Sequence, residues 1–187
     1  MTDTDKRTLL ALAREALEAS LFGAASPLYD QLSGVTAHPY GERRGCFVTL
    51  RTEQGRLRGC IGTIIGRMPL VKAVTHLARE AAFSDPRFPP LEPSEWPAIT
   101  LEITLLTEPV AISDYRAIRV GIDGVILTYE GHRSLFLPQV ATEQGWGLTE
   151  MLAHLSLKAG LEPDAYREPA CRFEVFQGEA FSDETHL

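Results

Sequence analysis

The residues best suited to chemistry lie together in Leu57-Arg58-Gly59-Cys60-Ile61-Gly62. Cysteine acts as a nucleophile or redox centre through its thiolate, and a guanidinium two residues away on the same strand face would favour that form. A glycine inside a strand weakens it by about 0.5–1 kcal/mol relative to alanine. Two of them flanking a thiol therefore point to a bulge, or to close approach by a ligand or another backbone. On this reading Cys60 and Arg58 carry the chemistry, while Gly59 and Gly62 admit a substrate to the strand. A competing reading of the same residues makes Cys60 a small buried hydrophobe and pairs Arg58 with Glu102 across the strands.

Other constellations are weaker. Cys46 and Cys60 sit at similar distances from a predicted hairpin turn, so they are expected to be cross-strand neighbours, although a disulfide there is disfavoured by geometry and by a reducing compartment. His76 and Glu80 are one helical turn apart, the spacing of an acid/base pair or of an ordinary solvated pair. Asp85-Pro86-Arg87-Phe88 joins opposite charges to an aromatic ring in a proline-rich loop, either lining a cleft or closing a local turn. Gln139 offers a recognition amide just after a strand. The histidines at 38, 76, 132, 154 and 186 form no metal-binding spacing, and no serine elbow, phosphate loop or dinucleotide fingerprint occurs.

Rigid elements must hold these groups. Residues 4–22 predict a helix with Leu9, Ala13, Ala16, Leu17, Ser20 and Leu21 on one stripe, ended by a left-handed Gly23. Residues 23–43 read as a loop-rich connection. Residues 45–63 read as a β-hairpin turned at Glu53-Gln54-Gly55, with Arg58, Cys60 and Gly62 sharing one face of the returning strand. Pro69 opens a helix that runs to about Phe83, and residues 84–97, with five prolines, are irregular. A half-buried strand follows at 99–105, then three short strands between 118 and 137, and a helix over 141–159 stopped by Gly160. The last strand, 171–177, is expected to return to the first sheet. Without βαβ alternation, the pattern is α+β: two lobes with antiparallel sheets, joined by two chain crossings.

Composition bounds the function. The chain has 187 residues, 44% hydrophobic and 23% charged, enough to bury a core in one domain or two small ones. Twenty-five acidic against 18 basic residues give a net charge of −7. That charge disfavours an extended nucleic-acid surface, while making Arg58 and Arg87 a candidate local anion site. Three cysteines are too few for a disulfide framework or a zinc module. The N-terminal residues lack the apolar core of a signal peptide and no apolar run is long enough to span a bilayer, so a cytoplasmic protein with no membrane partner is expected.

The hexapeptide at 57–62 resembles the hallmark of the AMMECR domain family, the protein A component of AmmeMemoRadiSam systems. Further segments resemble the family in the same order: Phe47-Val-Thr-Leu50, Ala82-Phe-Ser-Asp-Pro-Arg-Phe88 with Pro90-Leu91, Leu101-Glu-Ile103, Leu137-Pro-Gln-Val-Ala141, Trp146 and Lys158-Ala-Gly-Leu161. Together they span roughly residues 8 to 180. The resemblance implies a larger α+β subdomain holding both termini and a smaller inserted one, each with an antiparallel sheet flanked by helices, and a cleft between them. On this chain the larger is expected over 1–112 plus 169–187 and the smaller over 113–168.

The resemblance also implies that the hexapeptide faces the cleft, and that the protein acts with a Memo-like protein and a radical-SAM enzyme. Memo-like proteins in turn resemble class III extradiol dioxygenases. No settled reaction and no cofactor come with it. Carried onto this chain, Cys60 and Arg58 are the catalytic candidates of a cysteine-dependent catalytic or modifying component. Gly59, Gly62, Asp85, Arg87 and Gln139 are candidates for binding a small-molecule or peptide substrate, with no metal ligands. The alternative is a non-catalytic adaptor that docks a peptide, a small molecule or the Memo-like partner. Two departures stand out: Ser156 where many relatives have cysteine, and Tyr166 where many have tryptophan.

Overall fold

Helix α1 (Asp3–Phe22) begins where the sequence supplies its cap: the Thr2 hydroxyl accepts from the Asp5 amide, and the Asp5 carboxylate accepts from the Thr2 amide. It ends at Gly23 in the left-handed region, φ 69°. The computed structural model describes residues 1–183, so residues 184–187, including His186, lie outside the described residues. The chain forms two units, the first made of Met1–Leu106 with the segment from Glu179, the second of Thr107–Gly178.

In the first unit α1 is followed by the short helix α2 (Pro27–Leu32), inside the stretch expected to be loop. Strands β1 (Cys46–Thr52) and β2 (Leu57–Thr63) form the expected hairpin, with Gly55 at φ 73° in its turn. Helix α3 (Leu70–Phe83) and strand β3 (Ile99–Leu106) follow, separated by the proline-rich loop. Cys46, Val48 and Leu50 of β1 and Ile99, Leu101, Ile103 and Leu105 of β3 pack with Leu9, Leu12 and Leu17 of α1 and Val71, Val74 and Ala78 of α3 in one core. Alternation therefore leaves Phe47, Thr49 and Arg51 beside Thr104, Glu102 and Thr100 on the opposite sheet face.

The second unit holds β4 (Val110–Ile112), β5 (Gly124–Tyr129), β6 (His132–Phe136), helices α4 (Pro138–Gln144) and α5 (Leu148–Lys158), and β7 (Arg172–Phe176). Its antiparallel sheet runs β4-β7-β5-β6, with Val125, Leu127 and Phe173 packed against Met151, Leu152 and Leu155 of α5. Positive φ at Glu130 (48°) and Gly131 (81°) closes the β5–β6 hairpin.

Three readings of this half are corrected. Residues 118–137 hold two strands rather than three, because the chain around Gly121, at φ 82°, is a turn that leads into β5. The helix expected over 141–159 is two helices broken at Gly145, whose φ of 72° no helix interior accepts. The strand near 171–177 does not join the first sheet: β7 pairs with β4 and β5. Strand β8 (Gly178–Ser182) is the one that completes the first sheet, in the order β2-β1-β3-β8. The α+β class with two antiparallel four-stranded sheets is as expected.

Candidate functional site

Strand β2 is an edge strand, so one side of its backbone needs partners from outside the sheet. At Cys60 these partners are side chains of the proline-rich loop. The Cys60 amide donates to Asp85 Oδ2 at 2.9 Å, and Arg87 Nη2 donates to the Cys60 carbonyl at 3.1 Å. Both backbone groups of Cys60 therefore point away from β1, the geometry of a non-hydrogen-bonded antiparallel pair, in which facing side chains approach most closely. Its partner in register is Thr49, whose hydroxyl lies 3.2 Å from Cys60 Sγ and donates to it. The thiol is partly exposed and Thr49 is buried.

Asp85 carries the greatest load in this arrangement. It is 3% exposed and accepts from the Cys60 amide, from its own loop at the Arg87 amide (3.1 Å), and from Arg87 Nε and Nη2 (2.9 and 2.7 Å). The Arg87 side chain, followed by the Cys60 and Arg87 amides, holds its carboxyl well below the usual carboxylate range despite burial. Together Asp85 and Arg87 occupy the place of a neighbouring strand.

Arg58 behaves differently from expectation. The register advances two residues on β2, from Gly59 to Leu57, for one on β1, from Leu50 to Arg51, so Arg58 is the extra residue of a bulge. A bulge breaks period two and re-aims a side chain, so Arg58 and Cys60 do not form the expected pair. Arg58 is buried and closes its fork on Glu95, with Nε to Oε1 at 2.7 Å and Nη2 to Oε2 at 2.9 Å. This pairing pulls the Glu95 carboxyl below its ordinary value. The Phe88 ring lies between the two cations, 6.0 Å from Arg58 Cζ and 5.6 Å from Arg87 Cζ. The proposed Arg58–Glu102 pair is replaced by Arg51–Glu102 at 3.5 Å. Because each arginine faces its own carboxylate, Arg58 and Arg87 form no unbalanced anion site.

The glycines have packing reasons. A Cβ on Gly59 would overlap the carbonyl oxygen of Ala81, so the close approach it allows is that of α3, not of a ligand. A Cβ on Gly62 would overlap the Phe47 ring and the Cys46 carbonyl. Cys46 and Cys60 are not neighbours either: Cys46 faces Thr63. Cys46 is fully buried, and burial pushes its thiol up to about 12. Cys171 packs on the second core, and burial raises its thiol too. Gln139 is exposed in the first turn of α4 and belongs to the second unit, whereas the other six candidates belong to the first.

The fold thus brings Cys60, Asp85 and Arg87 together and adds Thr49, Phe88 and Glu95 around them. Thr49 had a signal in the hairpin register, hidden by the bulge; Glu95 had none, because residues 84–97 carry no periodicity. Among the described residues, no group of three or more His, Cys, Asp or Glu is placed to hold a metal ion. Nor is any helix long and apolar enough to cross a membrane.

The AMMECR1 family model matches residues 10–181. A protein of Methanothermobacter thermautotrophicus is 43% identical over 185 residues, covering 95% of this chain and 94% of the relative. One from Methanocaldococcus jannaschii is 42% identical over 151 residues, covering 77% and 75%. The crystal structure of an uncharacterized protein from Pyrococcus horikoshii superposes with a TM-score of 0.69 at 34% identity, covering 94% of this chain and 90% of that one. With its hexapeptide in the edge strand, and the match running from the first helix to the last strand, this chain belongs to the AMMECR1 family.

Proposed function

We propose that the protein is a cysteine-dependent modifying component whose reacting group is the Cys60 thiol. It acts in the cytoplasm on a small molecule or peptide, with partner proteins of the Memo-like and radical-SAM kinds. The observation that carries this reading is the way the thiol is held: sulfur against the Thr49 hydroxyl at 3.2 Å, amide on Asp85 and carbonyl on Arg87. A fixed nucleophile reacts faster than a mobile one, and the Thr49 hydroxyl fixes the sulfur. Thr49 is then the positioning residue, while Arg58 and Glu95 brace the loop that bears Asp85 and Arg87.

Iodoacetamide labelling followed by peptide mapping tests this. Cys60 is expected to react about tenfold faster than free cysteine at pH 7. Thr49→Val should slow it about tenfold and Thr49→Ser should restore it. Labelling of Cys60 no faster than free cysteine rejects the reading. Cys46, with its thiol pushed up to about 12, is expected to stay unlabelled at pH 8 until the protein is unfolded.

A second reading, a non-catalytic adaptor, needs no activated thiol, and Arg58 is committed to Glu95 rather than to Cys60; the same pairing and the packed Gly59 and Gly62 remove the anion contact and backbone access expected of such an adaptor. It expects Cys60→Ser to complement a deletion strain fully. The cysteine-dependent reading expects that variant to fail.

A further inference from the structure

We infer that the surface formed by residues 43–44 and 65–68 is a docking site for an acidic polypeptide segment carrying an apolar anchor. This gives the partner part of the proposed function a place on the protein. It rests on that reading only in taking the partner to be a protein.

The surface is built from two backbone segments locked together. A Cβ on Gly66 would overlap the Arg44 amide, and one on Gly45 would overlap the Ile64 carbonyl, so the loop leaving β2 lies directly against the chain entering β1. Arg43 Nη1 donates to the Arg67 carbonyl at 2.8 Å, and the Leu70 amide donates to the Glu42 carbonyl at 2.8 Å. On this platform Ile65 is 51% exposed and Met68 36%. A large aliphatic side chain kept in water beside a methionine, on a rigid loop, forms an apolar anchor point, and methionine adapts to varied partners.

Charge identifies the occupant. Arg43, Arg67 and Lys72 are exposed and Arg44 partly so. The only acid of residues 42–45 and 64–72 is Glu42, which already faces His38 and Arg44. These thirteen residues therefore carry a net +3, four cations and one anion, in a chain of net charge −7; from outside them Glu179 lies in the field of Arg44 but is itself paired with Lys6. Exposed arginines on the same backbone platform as an exposed apolar side chain match a segment that carries carboxylates on either side of an apolar residue, with arginine forks reading the carboxylates. A nucleic acid or an anionic bilayer would meet the repulsion of the whole chain, whereas a short acidic segment meets only the local field.

The test uses the full-length protein and a fluorescein-labelled peptide with one leucine between two runs of glutamate, followed by fluorescence anisotropy. Binding is expected that weakens with added salt and weakens again when glycine replaces the leucine. R43E/R67E is expected to reduce affinity about tenfold or more, and I65S/M68S several-fold, with unchanged circular dichroism. Cys60 labelling on the same variants is expected to be unaltered, so it reports on the thiol separately. The inference is overturned by no binding of the peptide, or by equal binding to the charge-reversed variant. It is also overturned if the same residues instead drive sedimentation with phosphatidylserine vesicles or self-association of the chain.

Discussion

Gly59→Ala is expected to destabilise the first unit by about 3 kcal/mol, the upper part of the range for overpacked sites. That corresponds to a fall of roughly 10 °C in the melting temperature of a chain this size. The new methyl would overlap the carbonyl oxygen of Ala81, which belongs to the backbone of α3 and is held in the helix. Neither β2 nor α3 can move away without disturbing the core that they share with β1 and α1. Gly55→Ala makes an informative contrast. Gly55 has φ 73° with nothing near its missing Cβ, so the alanine there meets only left-handed strain, about 1 kcal/mol. Calorimetry of the two variants separates these effects. Equal melting temperatures would mean that Gly59 is not a packing glycine and would return it to the substrate-binding role.

Asp85→Ala is expected to have an effect of similar size by another route. Removing the buried carboxylate leaves the Cys60 and Arg87 amides without their acceptor, while the half-exposed Arg87 guanidinium turns to water, at a cost of about 2 kcal/mol. The pH dependence identifies the cause. The carboxyl of Asp85 is depressed in the folded protein, so unfolding raises its affinity for protons. Its contribution is complete above the ordinary aspartate value, about 4, and is lost as pH falls below that toward the folded value. Wild-type stability is therefore expected to fall more steeply between about pH 4 and pH 2 than that of Asp85→Ala. Urea unfolding followed at several pH values measures the difference, and parallel curves would place the carboxylate outside the linkage. Cys60 labelling is expected to change in the same variant, because the amide that orients the thiol loses its anchor.

Much of this was legible in the chain. Period-two alternation in residues 46–52 and 99–105 located the strands and their buried faces, because the face covered by helices takes the apolar set while the other, Phe47 apart, carries polar groups. Gly23, Gly55 and Gly160 marked real left-handed positions. The glycines of residues 57–62 allowed for a bulge, but nothing in the chain marked Arg58 as its extra residue, since the shift shows only against the register of β1. Near the C-terminus only the strand over 171–177 was legible; β8 begins after the single residue Gln177, at which the chain changes sheet, and its residues carry no clear alternation.

By itself the sequence determined α1, the β1–β2 hairpin, α3, β3 and the α+β class, and it singled out the segment around Cys60, all from local pattern and residue type. Only the tertiary structure decided what that segment's residues do. Arg58 went to Glu95 and Asp85 to the Cys60 amide, and Gly59 made room for Ala81. The physical reason is that an edge strand must find hydrogen-bond partners outside its sheet, and those partners came from a proline-rich loop 25 residues away whose own sequence has no period. Pairing across such a distance is set by the closing of α3 over the sheet, which no spacing along the chain encodes.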